Sequence, residues 1–285
     1  MTIRRKVTGL IRLFRPELPA AAGMCVVLGE VLALGGLPPV GKVILGFLCG
    51  FFLSGSALIT NDVFDLEVDR VNAPGRPLPS GLVSPSEAMA AGLLVGLAGL
   101  VTAWFFQPLA VGLGLIVWCL GFLYNWKLKA AGLWGNLIVC TSVGLTFVLG
   151  GMGAGRPWSG VVWVFAAIAF LFDLAEEIAG DAMDAEGDRQ RNSRSIAIVW
   201  GRQPALYLSA GLFMLVIGLT LVPVALGWLG LTYLFIMGIV DGLIIYFAAH
   251  LLKSQAPAEG RRWMRRLYIS ASLGLLAFLI GVFVV

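Results

Sequence analysis

Asp62, Asp65 and Asp69 recur later in the chain as Asp181, Asp184 and Asp188, with the same D-x-x-D-x-x-x-D spacing and an arginine directly behind each copy, Arg70 and Arg189. On an α-helix, positions i, i+3 and i+7 fall within about 60° of arc, so each triad presents its carboxylates on one stripe. Asn61 lies on much the same face as Asp65 and Asp69. Like charges held this close repel unless a cation answers them. Hard oxygen donors with no His or Cys beside them select Mg²⁺, which binds through one or two carboxylates plus substrate phosphates. Arg70, Arg76, Lys127, Lys129 and Arg189 place cations beside these acids. Magnesium ligands together with Arg and Lys donors suit a diphosphate. The chemistry would be departure of that diphosphate, with the charge growing on the leaving oxygen neutralised at the two triads. One D-x-x-D is weak, because solvated acidic loops beside arginines also produce it; two matched copies are not.

The elements that carry these residues follow from composition. The chain has 285 residues, 59% hydrophobic and 13% charged, with mean hydropathy +0.92. A typical soluble domain is about 45–50% apolar and about 25% charged. A water-soluble globule is excluded. The apolar runs lack the strict alternation of a membrane β-barrel. At about 20 residues per crossing, the sequence predicts an all-α, polytopic membrane protein with nine transmembrane helices, over 19–36, 40–60, 87–106, 109–124, 133–151, 160–179, 204–226, 229–252 and 267–285. Residues 1–285 read as a single transmembrane domain. Arg4, Arg5 and Lys6 precede the first run without a cleavage site, so the N-terminus reads as mature protein.

Orientation follows from the cations. With the N-terminus inside, every one of the 20 Lys and Arg except Lys42 and Arg156 falls in an inner segment, as cytoplasmic loops require. This accounts for a pI of about 9.0 without nucleic acid. The longer polar segments, 61–86, 180–203 and 253–266, all fall on that side. Both triads follow a span running from outside to inside, so both reach the cytoplasmic surface of a cell membrane, as two halves of one site. A site opening on lipid leaves room for a long hydrocarbon tail, and an allylic prenyl diphosphate fits both ends. No obligate protein partner is expected.

Between the first triad and the next span, residues 72–81 contain three prolines and two glycines, which bar a continuous helix. Ser84-Pro85-Ser86-Glu87 reads as a capping box with Pro at the first helical position. Cys25, Cys49, Cys119 and Cys140 lie in apolar runs without C-x-x-C spacing, which favours neither zinc nor disulfides. Glu30, Asp173 and Asp241 fall inside spans, where a bare Asp costs at least about 2.5–3.5 kcal/mol, so they should face the interior. Asp173 and Glu177 extend the second acidic stripe deeper into the bilayer. Either is a candidate base for an acceptor hydroxyl, since burial raises a carboxylate toward general-base range. His250, the only histidine, reads as an interfacial side chain.

The run Asn61-Asp62-Val-Phe-Asp65-Leu-Glu-Val-Asp69-Arg70 with Arg76-Pro-Leu-Pro-Ser-Gly81 resembles the first signature of the UbiA superfamily of intramembrane prenyltransferases. Tyr124-Asn-Trp-Lys-Leu128-Lys129 is similar to that family's Y-x-x-x-L-K segment, and Glu177-Ile-Ala-Gly-Asp181-Ala-Met-Asp184-Ala-Glu-Gly187-Asp188-Arg189 to its second acidic signature. The resemblance covers essentially the whole chain and implies a UbiA-like bundle. It implies that Asn61, Asp65, Asp69, Asp181, Asp184 and Asp188, with Asp62 nearby, hold Mg²⁺ against the diphosphate. The catalytic carboxylates would be Asp65, Asp69, Asp181, Asp184 and Asp188. Arg70, Arg76, Tyr124, Lys129 and Arg189 would contact phosphate oxygens. The wording of both signatures is most similar to the archaeal digeranylgeranylglyceryl phosphate synthases. That branch transfers a geranylgeranyl group from geranylgeranyl diphosphate to geranylgeranylglyceryl phosphate, a step of ether-lipid biosynthesis. For the acceptor's own phosphate, Arg191 and Arg194 are the candidate cations. The alternatives are an aromatic, quinone-precursor or chlorophyllide prenyltransferase of the same fold and, from another class, an ion-coupled transporter.

Overall fold

The computed structural model describes residues 3–190 and 193–284. Among these the secondary structure is entirely helical. In chain order the helices are α1 (Ile3–Phe14), α2 (Glu17–Leu34), α3 (Val40–Phe64), α4 (Leu66–Asn72), α5 (Pro85–Phe106) and α6 (Pro108–Leu123), the last running into a π-helical turn over Tyr124–Leu128. After it come α7 (Leu133–Gly153), α8 (Gly160–Gln190), α9 (Ile196–Val199), α10 (Arg202–Thr220), α11 (Val222–Ala225), α12 (Leu231–Lys253) and α13 (Pro257–Val284).

Seven stretches among the described residues are long and apolar enough to cross a membrane: α2, α3, α5, α6 with its π turn, α7, α10 with α11, and α12. The difference from nine lies in α8 and α13, of 31 and 28 residues. Asp173, Glu176 and Glu177 interrupt the apolar part of α8, whereas the apolar length of α13 follows its four arginines and includes side chains outside the described residues. The polar segments expected after 180 and after 253 are in part helical, since α8 runs on to Gln190 and α13 begins at Pro257.

The chain forms two compact units, residues 1–126 with 145–159 and residues 127–144 with 160–285, and α7 contributes to both. In the first, α3 packs on α2 and α5. Its core joins Val26, Cys49, Leu53, Ala103, Phe106 and Leu149. Helix α2 and the later half of α7 lie almost backbone to backbone. A Cβ on Gly29 would meet the Phe147 carbonyl, and one on Gly150 the Val26 carbonyl. The two cations assigned to the outer side both serve helix ends. Lys42 Nζ donates to the carbonyl of Phe106, the last residue of α5, and sits 5.4 Å over its ring. Arg156 donates to Ala33 near the end of α2 at 3.0 Å, as cations at helix C-termini do. Glu30 is fully buried, as its place in a span requires.

In the second unit, α8 packs on α10 and α13, and α12 on α13. Cys140, Ala175, Ile178, Leu206, Phe213 and Leu267 contribute to its core. Asp241 is buried and accepts from Thr220 Oγ1 at 2.7 Å, while Tyr233 donates to the Thr220 carbonyl. His250 packs between the Tyr246 and Trp263 rings, tilted against both, near the end of α12. All four cysteines are free thiols.

Candidate active site

The first acidic motif is built on a broken helix. Helix α3 ends at Phe64, and Asp65 (φ −85°, ψ 0°) is the hinge into α4. The backbone ladder nevertheless continues, with Asp65 N–H donating to the Asn61 carbonyl and Asp69 N–H to the Asp65 carbonyl. Asp62 and Asp69 therefore still face one direction, and both are buried. Arg76 reaches back to them: its Nη1 donates to Asp69 Oδ2 at 2.6 Å and lies 3.9 Å from Asp62 Oδ1. That hydrogen bond to Asp69 and the neighbouring carboxylates hold the Arg76 guanidinium pKa above its ordinary value. Asn61 Nδ2 donates to Asp65 Oδ2 at 3.1 Å.

The proline-rich loop positions Arg76. Ser80 N–H bonds to the Arg76 carbonyl, Gly81 turns the chain at φ +72°, and Val83 N–H bonds to the Pro77 carbonyl. Leu78 and Val83 then plug into a cluster with Leu13, Ile59 and Ala88. The next helix starts where the sequence places it, with the Ser84–Glu87 capping box formed in both directions. Lys6 on α1 also pairs with Glu87.

Nothing in the sequence pattern singles out Arg15, yet it pairs directly with Asp62. It joins α1 to α2 at φ +46°, the only non-glycine with positive φ among the described residues. Such a conformation costs of order 1–3 kcal/mol and persists where the surroundings impose it. The Arg70 guanidinium pairs with Glu67 at 2.7 Å on the exposed face of α4.

The second motif lies on an unbroken helix, α8. Asp181 Oδ2 accepts from Asn136 Nδ2 on α7 at 2.9 Å. Asp184 is exposed and pairs with Arg261 of α13. Neither partner was anticipated; a buried Asn in an apolar span was the available signal for Asn136. The side chains of Asp188 and Arg189, and all of Arg191, lie outside the described residues. Deeper on α8, Lys129 sits within electrostatic reach of Glu177. Asp173 meets the Cys140 thiol and keeps Oδ2 enclosed without a hydrogen-bond partner. Tyr124 opens the π-helical turn, a geometry that often marks functional positions. Arg194 is exposed, and its N–H bonds to the Ala130 carbonyl at 3.2 Å.

The donor set can be tested for magnesium. Among the described residues, no three acidic, His or Cys side chains stand together as a ready cage. Arg15 and Arg76 occupy Asp62 and Asp69, which leaves one or two oxygen donors of a motif for an ion. This fits Mg²⁺, which keeps few protein ligands and completes its shell with water and substrate phosphates. It would not fit an ion that needs a dedicated protein cage.

An all-helical, multi-pass chain with two aspartate motifs, one of them clamped by arginines, defines a membrane enzyme of the intramembrane prenyltransferase kind. The UbiA prenyltransferase family matches residues 22–283, and the chain belongs to that family. Digeranylgeranylglyceryl phosphate synthase of Thermococcus sibiricus is 35% identical over 271 residues, covering 95% of this chain and 96% of the relative. A solved structure of digeranylgeranylglyceryl phosphate synthase superposes with TM-score 0.83 at 29% identity, covering 98% of this chain and 99% of its own. A UbiA homolog from Archaeoglobus fulgidus bound to DMAPP and Mg²⁺ shares the fold, with TM-score 0.68 and 19% identity over 97% of this chain and 99% of that one. Membership in a prenyltransferase family decides for an enzyme over an ion-coupled transporter.

Proposed function

We propose that this chain transfers a geranylgeranyl group from geranylgeranyl diphosphate to the free hydroxyl of geranylgeranylglyceryl phosphate, releasing diphosphate. The similarity to digeranylgeranylglyceryl phosphate synthases over nearly the full length of both chains carries the choice of acceptor. In the step, the allylic C1–O bond breaks and diphosphate leaves with the electron pair. The acceptor oxygen bonds to C1 and its proton passes to a base.

Asn61, Asp65, Asp69, Asp181, Asp184 and Asp188 would hold Mg²⁺ against the diphosphate, with Asp62 as an anchor. The ion, when bound, supplies charge neutralisation at the leaving oxygens. Arg76 stands ready to exchange Asp69 for a phosphate oxygen, keeping one charged partner in either state. Tyr124, Lys129, Arg70 and Arg189 would supply the other phosphate contacts, Arg70 after release from Glu67. Asp173 and Glu177 are the candidate bases. Support for Asp173 is its enclosed, unbonded Oδ2, which leaves room for a proton.

Both units form one domain in this reading, the chain crosses the cell membrane nine times, and its N-terminus and active site face the cytoplasm. The near-complete cation bias supports that orientation. No protein partner is required. The test is purified protein given geranylgeranyl diphosphate, Mg²⁺ and each acceptor class in turn. Product with the glyceryl phosphate is expected; product with an aromatic acid or chlorophyllide alone overturns the acceptor.

A further inference from the structure

Helix α13 opens with an arginine face that no reading of the acidic motifs uses. Arg261, Arg262, Arg265 and Arg266 fall at about 0°, 100°, 40° and 140° around the helix, at 100° per residue. All four are exposed. The opposite side is packed: Leu267 and Ser270 are buried, and Gly260 lies against Met183 of α8 so closely that a Cβ would collide with it. Trp263 packs on His250 with ring centroids 4.6 Å apart, and the Arg266 guanidinium lies 4.4 Å from the centroid of the Trp263 ring.

Like charges three or four residues apart on a helix repel. Arg261 faces Arg265, and Arg262 faces both Arg265 and Arg266. Among the described residues Arg261 has a carboxylate in answer, Asp184 of the second acidic motif, and Arg262, Arg265 and Arg266 have none. Guanidinium forks at this spacing match phosphate oxygens. The Arg261–Asp184 pair places the face beside the second motif within one compact unit.

We propose that the arginine face of α13 binds the phosphate monoester of a membrane lipid, and that this is the acceptor's own phosphate. The inference rests on the acceptor reading given above for its second half. A doubly charged headgroup at the membrane surface would answer three unneutralised arginines. It would hold the lipid's glycerol end near Asp184 while the chain stays in the bilayer. The occupant is a lipid phosphate rather than a free one, because α13 continues from this face directly into its apolar length.

The test uses Arg262→Gln/Arg265→Gln, which leaves the Arg261–Asp184 pair and the Arg266–Trp263 contact intact. Delipidated full-length protein is titrated with dioleoylphosphatidic acid, dioleoylphosphatidylcholine or inorganic phosphate and read by native mass spectrometry. The wild type should retain phosphatidic acid at least tenfold more tightly than phosphatidylcholine, and the double variant should lose that preference. In turnover, the variant should raise the acceptor KM about tenfold or more and leave the geranylgeranyl diphosphate KM within twofold. Equal retention of both lipids, an unchanged preference in the variant, or displacement by millimolar inorganic phosphate overturns the site. Retained phosphatidic acid with no turnover of the glyceryl phosphate acceptor overturns the acceptor reading while leaving the lipid-phosphate site standing.

Discussion

Arg76 and Arg15 divide the first acidic motif between them, and the division makes distinct predictions. Arg76, bound to Asp69 and close to Asp62, would in the proposed function change partners when diphosphate arrives. Arg76→Gln should lower kcat/KM for the prenyl diphosphate at least about tenfold, since a charge-assisted hydrogen bond contributes roughly 1.5–3 kcal/mol. Steady-state kinetics in detergent check this. Arg15 acts through Asp62, whose burial makes the loss of one partner worse than the loss of both. Arg15→Gln should destabilise the protein by about 3 kcal/mol, and Arg15→Gln/Asp62→Asn by clearly less. Equal or additive losses in thermal unfolding would contradict that account. The carboxylates themselves were legible in the sequence because their spacing is local and doubled. Arg15, Asn136 and Arg261 were not, because each meets its acid across a long stretch of chain. Arg70, adjacent to the motif in sequence, turns to Glu67 three residues back, a local pairing that the motif's spacing does not reveal.

At the scale of elements, local signals translated well and tertiary ones did not. The capping box of α5 formed as its four residues require, and the proline-rich loop ahead of it is pinned by Leu78 and Val83. Ser84→Ala should therefore cost about 1 kcal/mol of stability. Its effect on kcat should be small, because the box shapes the loop's exit rather than Arg76 itself; a lowered thermal midpoint with near-normal turnover is the expected pair. The two motifs look alike as text but differ as structure. The first is interrupted at Asp65 and the second runs on as one helix, α8. The prolines from Pro74 on end α4 after Asn72, whereas α8 meets no proline before Gln190. Periodicity predicts the stripe in both cases and says nothing of the hinge.

Across the whole molecule, the apolar runs of the sequence return, among the described residues, as seven stretches long and apolar enough to cross a membrane. Helix α8 falls outside that set because Asp173, Glu176 and Glu177 sit on the same rod as its apolar length. Arg15 and Arg76 already engage Asp62 and Asp69, and among the described residues no three acidic, His or Cys side chains stand together as a cage. Magnesium should consequently bind weakly alone and much more tightly with diphosphate present, a coupling that titration calorimetry would read directly; tight metal binding without diphosphate would contradict it. The most direct test of the whole account is single-turnover transfer by the purified protein, with geranylgeranyl diphosphate and geranylgeranylglyceryl phosphate, before and after chelation of magnesium. The account predicts one diphosphate released for each doubly alkylated lipid formed, abolished by chelation and restored by added Mg²⁺. Transfer that persists without a divalent ion, or diphosphate release with no lipid product, would contradict it.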